Sequence, residues 1–173
     1  MDPVVDLLLR ISLALLFATA AWHKLQAPRS FAATLGEYRL LPVSLAPVAA
    51  ALVVAAELAT VGALVAASRI GLAFAAGLLL VYAAAVAVNL LRGRRHIDCG
   101  CAGPSARQRI GGWLVARNLV LAATALAGLA PVAPRALVWV DAFTVVAATI
   151  ALAACRAAAD RLLALGSRGT ATA

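Results

Sequence analysis

This sequence is poor in charge. Aspartate, glutamate, lysine and arginine make up 13% of its 173 residues, and only seven positions are acidic. Soluble domains carry about a quarter charged residues, so an ordinary water-soluble domain is excluded. Cysteine is scarcer still. Three residues, Cys99, Cys101 and Cys155, cannot build a disulfide framework, so any redox role rests on one pair and a remainder. Lysine occurs once, at Lys24, and every other basic side chain is arginine. The first apolar run also lacks the basic leader of a secretory signal: Asp2 and Asp6 stand there instead, and Arg10 lies inside the run. A retained helix is therefore expected, although Ala18-Thr19-Ala20 resembles a cleavage site. No internal repeat is visible, and the length leaves no room for a soluble module beside the apolar segments.

What is abundant is apolar. Hydrophobic residues are 65% of the chain and its mean hydropathy is +0.99. The pattern predicts an all-α protein forming one domain, a polytopic membrane bundle of five transmembrane helices and one short interfacial helix. The spans are expected at about 4–21, 45–67, 70–91, 113–130 and 136–155, each close to the ~20 apolar residues a bilayer needs. Trp22, His23 and Lys24 would anchor the end of the first span at headgroup depth. The segment at about 29–41 is too polar to cross. Phe31, Leu35, Tyr38 and Leu41 recur there at helical spacing between Pro28 and Pro42, with Arg29, Glu37 and Arg39 on the other side, as in a helix lying in the interface. A tail from Arg156 onward reads as a frayed end.

A net charge of +8 would suggest nucleic acid on a soluble protein. In a membrane protein it reads as a topology signal, so the expected surroundings are lipid, with no nucleic-acid partner. With five spans, one face carries Lys24, Arg29, Arg39, Arg92, Arg94, Arg95, Arg107, Arg109, Arg156, Arg161 and Arg168, and the opposite face only Arg69 and Arg135. That bias predicts a multi-pass protein of the bacterial cytoplasmic membrane with its N-terminus outside and residues 92–112 in the cytoplasm.

Residues 92–112 are also the most polar stretch and hold Cys99-Gly100-Cys101. Cysteines two apart in an extended turn lie near the separation a disulfide tolerates, and the glycine eases the backbone. So small a ring favours exchange over permanence, and Arg92, Arg94, Arg95 and His96 place positive charge where it promotes thiolate. Three readings stand side by side: a dithiol that exchanges disulfides, a metal site using His96, Cys99 and Cys101, and incidental cysteines. Zinc cysteines more often have two to four residues between them. Cys155, at the end of the fifth span, is either a small apolar filler or a third thiol. Glu57 lies about twelve residues into the second span, near mid-bilayer, where an ionisable group suggests function by default. Arg10 and Asp141 lie at matching depth and are expected to pair across helices, while Asp6 and Arg10, four apart on one helical face, can pair locally. Asn89, Arg117 and Asn118 lie beneath the cysteine face; such a polar cluster could hold a quinone headgroup, and no other cofactor is suggested.

Taken together, the first helix running into AWHKL, the FAATLGEYRLLP connector, the glutamate of AAELATVGALV, the IDCGCAG segment and IGGWLVARNLVLAA opening the fourth span resemble the methylamine-utilisation MauE family of redox-associated membrane proteins, and more loosely DoxX. The resemblance runs in order along nearly the whole chain, and IDCGCAG is its most specific part. It implies a component of a thiol–disulfide oxidoreductase system: Cys99 and Cys101 as the exchanging dithiol, with Asp98 and His96 beside it, and a separate thioredoxin-like partner, in support of disulfide formation or electron supply during maturation of exported proteins. With the loop cytoplasmic, electrons would pass from a cytoplasmic thiol reductant outward or toward quinone. The alternative functions are a non-catalytic assembly subunit, which needs only the bundle, and the metal-binding protein described above.

Overall fold

A computed structural model describes residues 1–94, 97 and 110–169, with 156 and 160–169 described by backbone only. The described residues form helices and turns and contain no strand. Helix α1 spans Pro3–Gln26, α2 Pro28–Tyr38, α3 Ala46–Val65, α4 Arg69–Leu91, α5 Gly112–Ala127 and α6 Trp139–Gly169; a 3-10 turn at Val43–Leu45 leads into α3. Four of these segments are long and apolar enough to cross a bilayer, and α5 is a shorter apolar helix. At ~1.5 Å per residue its 16 residues cover roughly 24 Å, short of the ~30 Å hydrocarbon layer.

The helix ends follow local chemistry. Asp2 caps α1 by accepting the Val4 N–H at 2.8 Å, ahead of Pro3 in the first turn, where proline's missing donor costs nothing. Ser68 caps α4 in the same way through Ile70. The α3–α4 connection is so tight that Ala67 adopts a left-handed φ of 53°. Helix α6 begins at Trp139, three residues beyond the expected boundary, because Asp141 reaches back to accept the Val138 N–H at 2.9 Å, as the third residue of a capping box does. At its other end α6 continues to Gly169, where the sequence suggested fraying after residue 155.

Contacts at the helix ends sort the connections onto two faces of the bundle. Arg10 donates to the Ser68 carbonyl oxygen at 2.9 Å, and the Met1 ammonium donates to the Pro131 carbonyl oxygen at 2.6 Å, so the N-terminus, the α3–α4 turn and the α5–α6 connection share one end. Tyr38, Val86, Ile97, Ile110 and Leu114 pack into a buried cluster at the other. Between the ends, Leu13, Phe17, Leu64, Leu72, Leu79 and Ala122 make the main core of α1, α3, α4 and α5. Helix α6 leans on α1 and leaves Trp139, Phe143 and Ile150 exposed, an outward face suited to lipid.

Two expectations about charges are corrected. Arg10 and Asp141 do not pair. Arg10 bonds Asp6, one turn earlier, at 2.7 Å, while Asp141 bonds Arg135 at 3.0 Å; in each case a partner nearer in sequence takes the charge. Lys24 does not reach outward to headgroups either. It lies on the inner side of a helix that continues to Gln26, is only 3% exposed, and has a buried carboxylate within reach. Trp22 beside it is 61% exposed, as an interfacial ring should be.

Candidate functional site

The polar centre of the bundle is built from three helices. Glu57 of α3 is fully buried. Its Oε1 accepts from Lys24 Nζ of α1 at 2.5 Å and from the Tyr82 hydroxyl of α4 at 2.8 Å. The Lys24 ammonium also lies 5.2 Å from the Phe31 ring centroid and 5.7 Å from that of Tyr82, within cation–π range. A charge in so apolar an interior persists only when paired and hydrogen-bonded, and this cluster supplies both. Glu57 Oε2 is buried without a hydrogen-bond partner.

Glu57 carried a sequence signal, a carboxylate near mid-span. Its partners did not stand out: Lys24 looked like a helix-end anchor, and Tyr82 was one aromatic in an apolar run. The available clue was physical, since a buried tyrosine hydroxyl usually finds a partner.

Asn89 of α4 and Asn118 of α5 are both buried. Asn89 donates to the Ala85 carbonyl oxygen at 3.1 Å, while its own Oδ1 has no partner. Asn118 lines a cavity together with Lys24 and Tyr82. Arg117, its neighbour, faces elsewhere, into a wide cleft beside α1 and α6. The expected polar group beneath the cysteine face therefore divides, Asn118 falling on one side of α5 and Arg117 on the other. Cys155 is a free, exposed thiol on α6.

Cys99, Cys101, Asp98 and His96 lie outside the described residues. The ends of their segment are described. Ile97 and Ile110 are almost wholly buried, and the Ile110 N–H donates to the Ile97 carbonyl oxygen at 3.0 Å. The two described ends of the segment thus meet at one point, with both isoleucines packed against Tyr38 of α2, Val86 of α4 and Leu114 of α5. Among the described residues no group of three His, Cys, Asp or Glu could hold a metal ion; the His96, Cys99 and Cys101 set lies outside them.

Comparison with known proteins gives one consistent result. A family model described as methylamine utilisation protein MauE matches residues 2–131. A methylamine utilization protein MauE of Paracoccus denitrificans is 44% identical over 141 residues, covering 79% of this chain and 76% of that protein. The protein of the same name from Paracoccus versutus is 40% identical over 151 residues, covering 78% and 73% respectively. That of Methylophilus methylotrophus is 40% identical over 128 residues, covering 72% and 67%. No solved structure gives a significant match.

Proposed function

The chain belongs to the MauE family of methylamine utilisation proteins, and on that premise we propose that it is a membrane thiol–disulfide relay serving a methylamine utilisation system. Cys99 and Cys101 are the working pair. One thiolate attacks a sulfur of a disulfide in a thioredoxin-like partner, forming a mixed disulfide and expelling the partner's second sulfur as thiolate. The other cysteine then attacks the mixed disulfide and frees the reduced partner, leaving Cys99 bonded to Cys101. Two electrons move to the partner, and the reverse sequence oxidises it.

The observation that carries the reading is the closed stem formed by Ile97 and Ile110, the described residues on either side of the pair in sequence. The Ile97–Ile110 hydrogen bond and the burial of both side chains hold the two ends of the stretch that contains the cysteines at one place on the bundle, as a site for docking and exchange requires. Arg92 and Arg94 flank the stem on the α4 side and favour the thiolate form. Cys155, exposed on α6, is a candidate third thiol. The excess of arginine on the loop face favours a cytoplasmic position for that face in a bacterial inner-membrane protein.

The test is cysteine replacement. Cys99→Ser and Cys101→Ser each abolish function in a deletion strain, and one of them traps a mixed disulfide with a thioredoxin-like protein. Full complementation by both variants would leave only a structural role in assembly. A membrane-impermeant thiol reagent, applied to intact cells and to lysed membranes before and after reduction, reports which face holds the pair and whether it is oxidised.

A further inference from the structure

The relay has no use for a cavity that lies beside its stem. It encloses about 240 Å³ between α2, α3, α4 and α5. A dry apolar cavity of about 150 Å³ is known to hold benzene, so this one has room for a substituted six-membered ring but not for a bulky ligand. Its walls are apolar apart from a few polar groups, chiefly Lys24, Tyr82 and Asn118. The Lys24 ammonium has three donors and among the described residues its one hydrogen bond goes to Glu57, so N–H groups remain there for a ligand oxygen. Asn118, 5% exposed, adds an amide to the same lining. Leu40, Leu41 and Val81 belong to the lining and are also exposed, so the mouth is apolar and lies beside α4, a helix long enough to cross the bilayer.

These features describe a ligand with a small ring, oxygen acceptors on that ring and an apolar tail that stays in the lipid. An acyl chain alone would offer no acceptor to the ammonium N–H groups that Glu57 does not take, and unmatched buried donors are costly. Position narrows the choice further. Tyr38 and Val86 line the cavity and also pack in the cluster containing Ile97, two residues before Cys99. A single layer of side chains separates the ring site from the stem of the redox segment.

We propose that this cavity binds the headgroup of a membrane quinone, and that the quinone exchanges electrons with the dithiol; this second half rests on the relay reading. The balance is simple. Cys99 and Cys101 give up two protons and two electrons as their S–S bond forms, and the two carbonyl oxygens of the quinone take up two electrons and two protons to become a quinol. Lys24 holds one ring oxygen and stabilises the negative charge that gathers there during reduction. Glu57 and Tyr82 keep Lys24 in place.

The experiment uses the full chain in nanodiscs of quinone-free lipid, with decylubiquinone as the probe. Calorimetry is expected to show one saturable site per chain. Ala49→Phe, which fills the cavity from α3, and Asn118→Leu each weaken binding at least tenfold while keeping the helical circular dichroism of the parent. Cys99→Ser binds the probe like the parent, but its reduced form generates no quinol, whereas the reduced parent converts one probe per chain. Absence of saturable binding to folded parent protein, equal binding by both cavity variants, or a tightly held phospholipid that the probe does not displace would overturn the site. Saturable binding with no quinol from the reduced parent would overturn the electron transfer. The relay fails separately: if the pair exchanges with no thioredoxin-like protein while binding persists, the site stands and the relay does not.

Discussion

Lys24 and Glu57, 33 residues apart in sequence, meet at 2.5 Å in the interior of the bundle, both essentially inaccessible to solvent. This pair joins α1 to α3 within the apolar interior, where a lone charge is poorly tolerated. Removing one member strands the other, which in buried pairs costs about 3–5 kcal/mol, while replacing both with apolar residues of similar size is often neutral. Lys24→Met and Glu57→Leu are each expected to lower the thermal midpoint of the detergent-solubilised protein sharply, and the double variant to recover most of the loss. Additive losses in the double variant would show that the two side chains act independently.

Tyr82 donates to the same carboxylate oxygen at 2.8 Å. Hydrogen bonds to charged groups contribute about 1.5–3 kcal/mol, so Tyr82→Phe is expected to destabilise less than either single charge deletion. The same substitution in the Lys24→Met, Glu57→Leu background should cost much less, because the acceptor is gone. Matched unfolding curves in the two backgrounds measure the difference.

Gly71 of α4 lies directly against the backbone of α3. A Cβ there would come within 2.6 Å of the Ala63 carbonyl carbon and 2.7 Å of the Leu64 nitrogen, and backbone atoms cannot swing aside. Gly71→Ala is expected to cost about 1–3 kcal/mol through overpacking, seen as reduced abundance and a lower midpoint. Gly77, six residues later, has nothing within 4 Å of its Cβ position. Gly77→Ala should be neutral or slightly stabilising, since alanine favours helix by about 1 kcal/mol.

At the other end of the bundle, Arg135 bridges Asp2 at 3.2 Å and Asp141 at 3.0 Å. Its hydrogen bond, with that of the Val4 amide, holds the Asp2 carboxyl below its usual value of 3.8. A depressed carboxylate contributes stability above its unfolded value and loses it as pH falls through the folded one. The contact between the N-terminus and the 131–135 segment is therefore expected to hold from neutral pH down to about pH 4 and to loosen below it. Proteolytic access to the first residues should rise only in that acid window. In Arg135→Ala the acid-triggered step should disappear.

Much of the architecture was legible because the bilayer imposes a length. Apolar runs near twenty residues appear as helices, and most of the polar 29–41 stretch became α2, which ends at Tyr38 with Arg29 and Glu37 exposed and Arg39 exposed at its left-handed C-cap. Boundaries were less legible where a single side chain decides them, as Asp141 does at the start of α6. Glu57 could be singled out because a carboxylate deep in an apolar span must have a reason.

Composition and periodicity by themselves settled that this is a helical membrane protein, because only segments that satisfy their own backbone hydrogen bonds can lie in hydrocarbon. They could not say which charges meet. Lys24 lies near a span end, where an amine can always be imagined reaching water, and only the packing of α1 against α3 and α4 turned it toward Glu57 and Tyr82. The same holds for the cavity at Asn118 and for the Ile97–Ile110 stem. Each depends on which faces of separate helices come together, a property of three-dimensional packing that no local stretch of sequence contains.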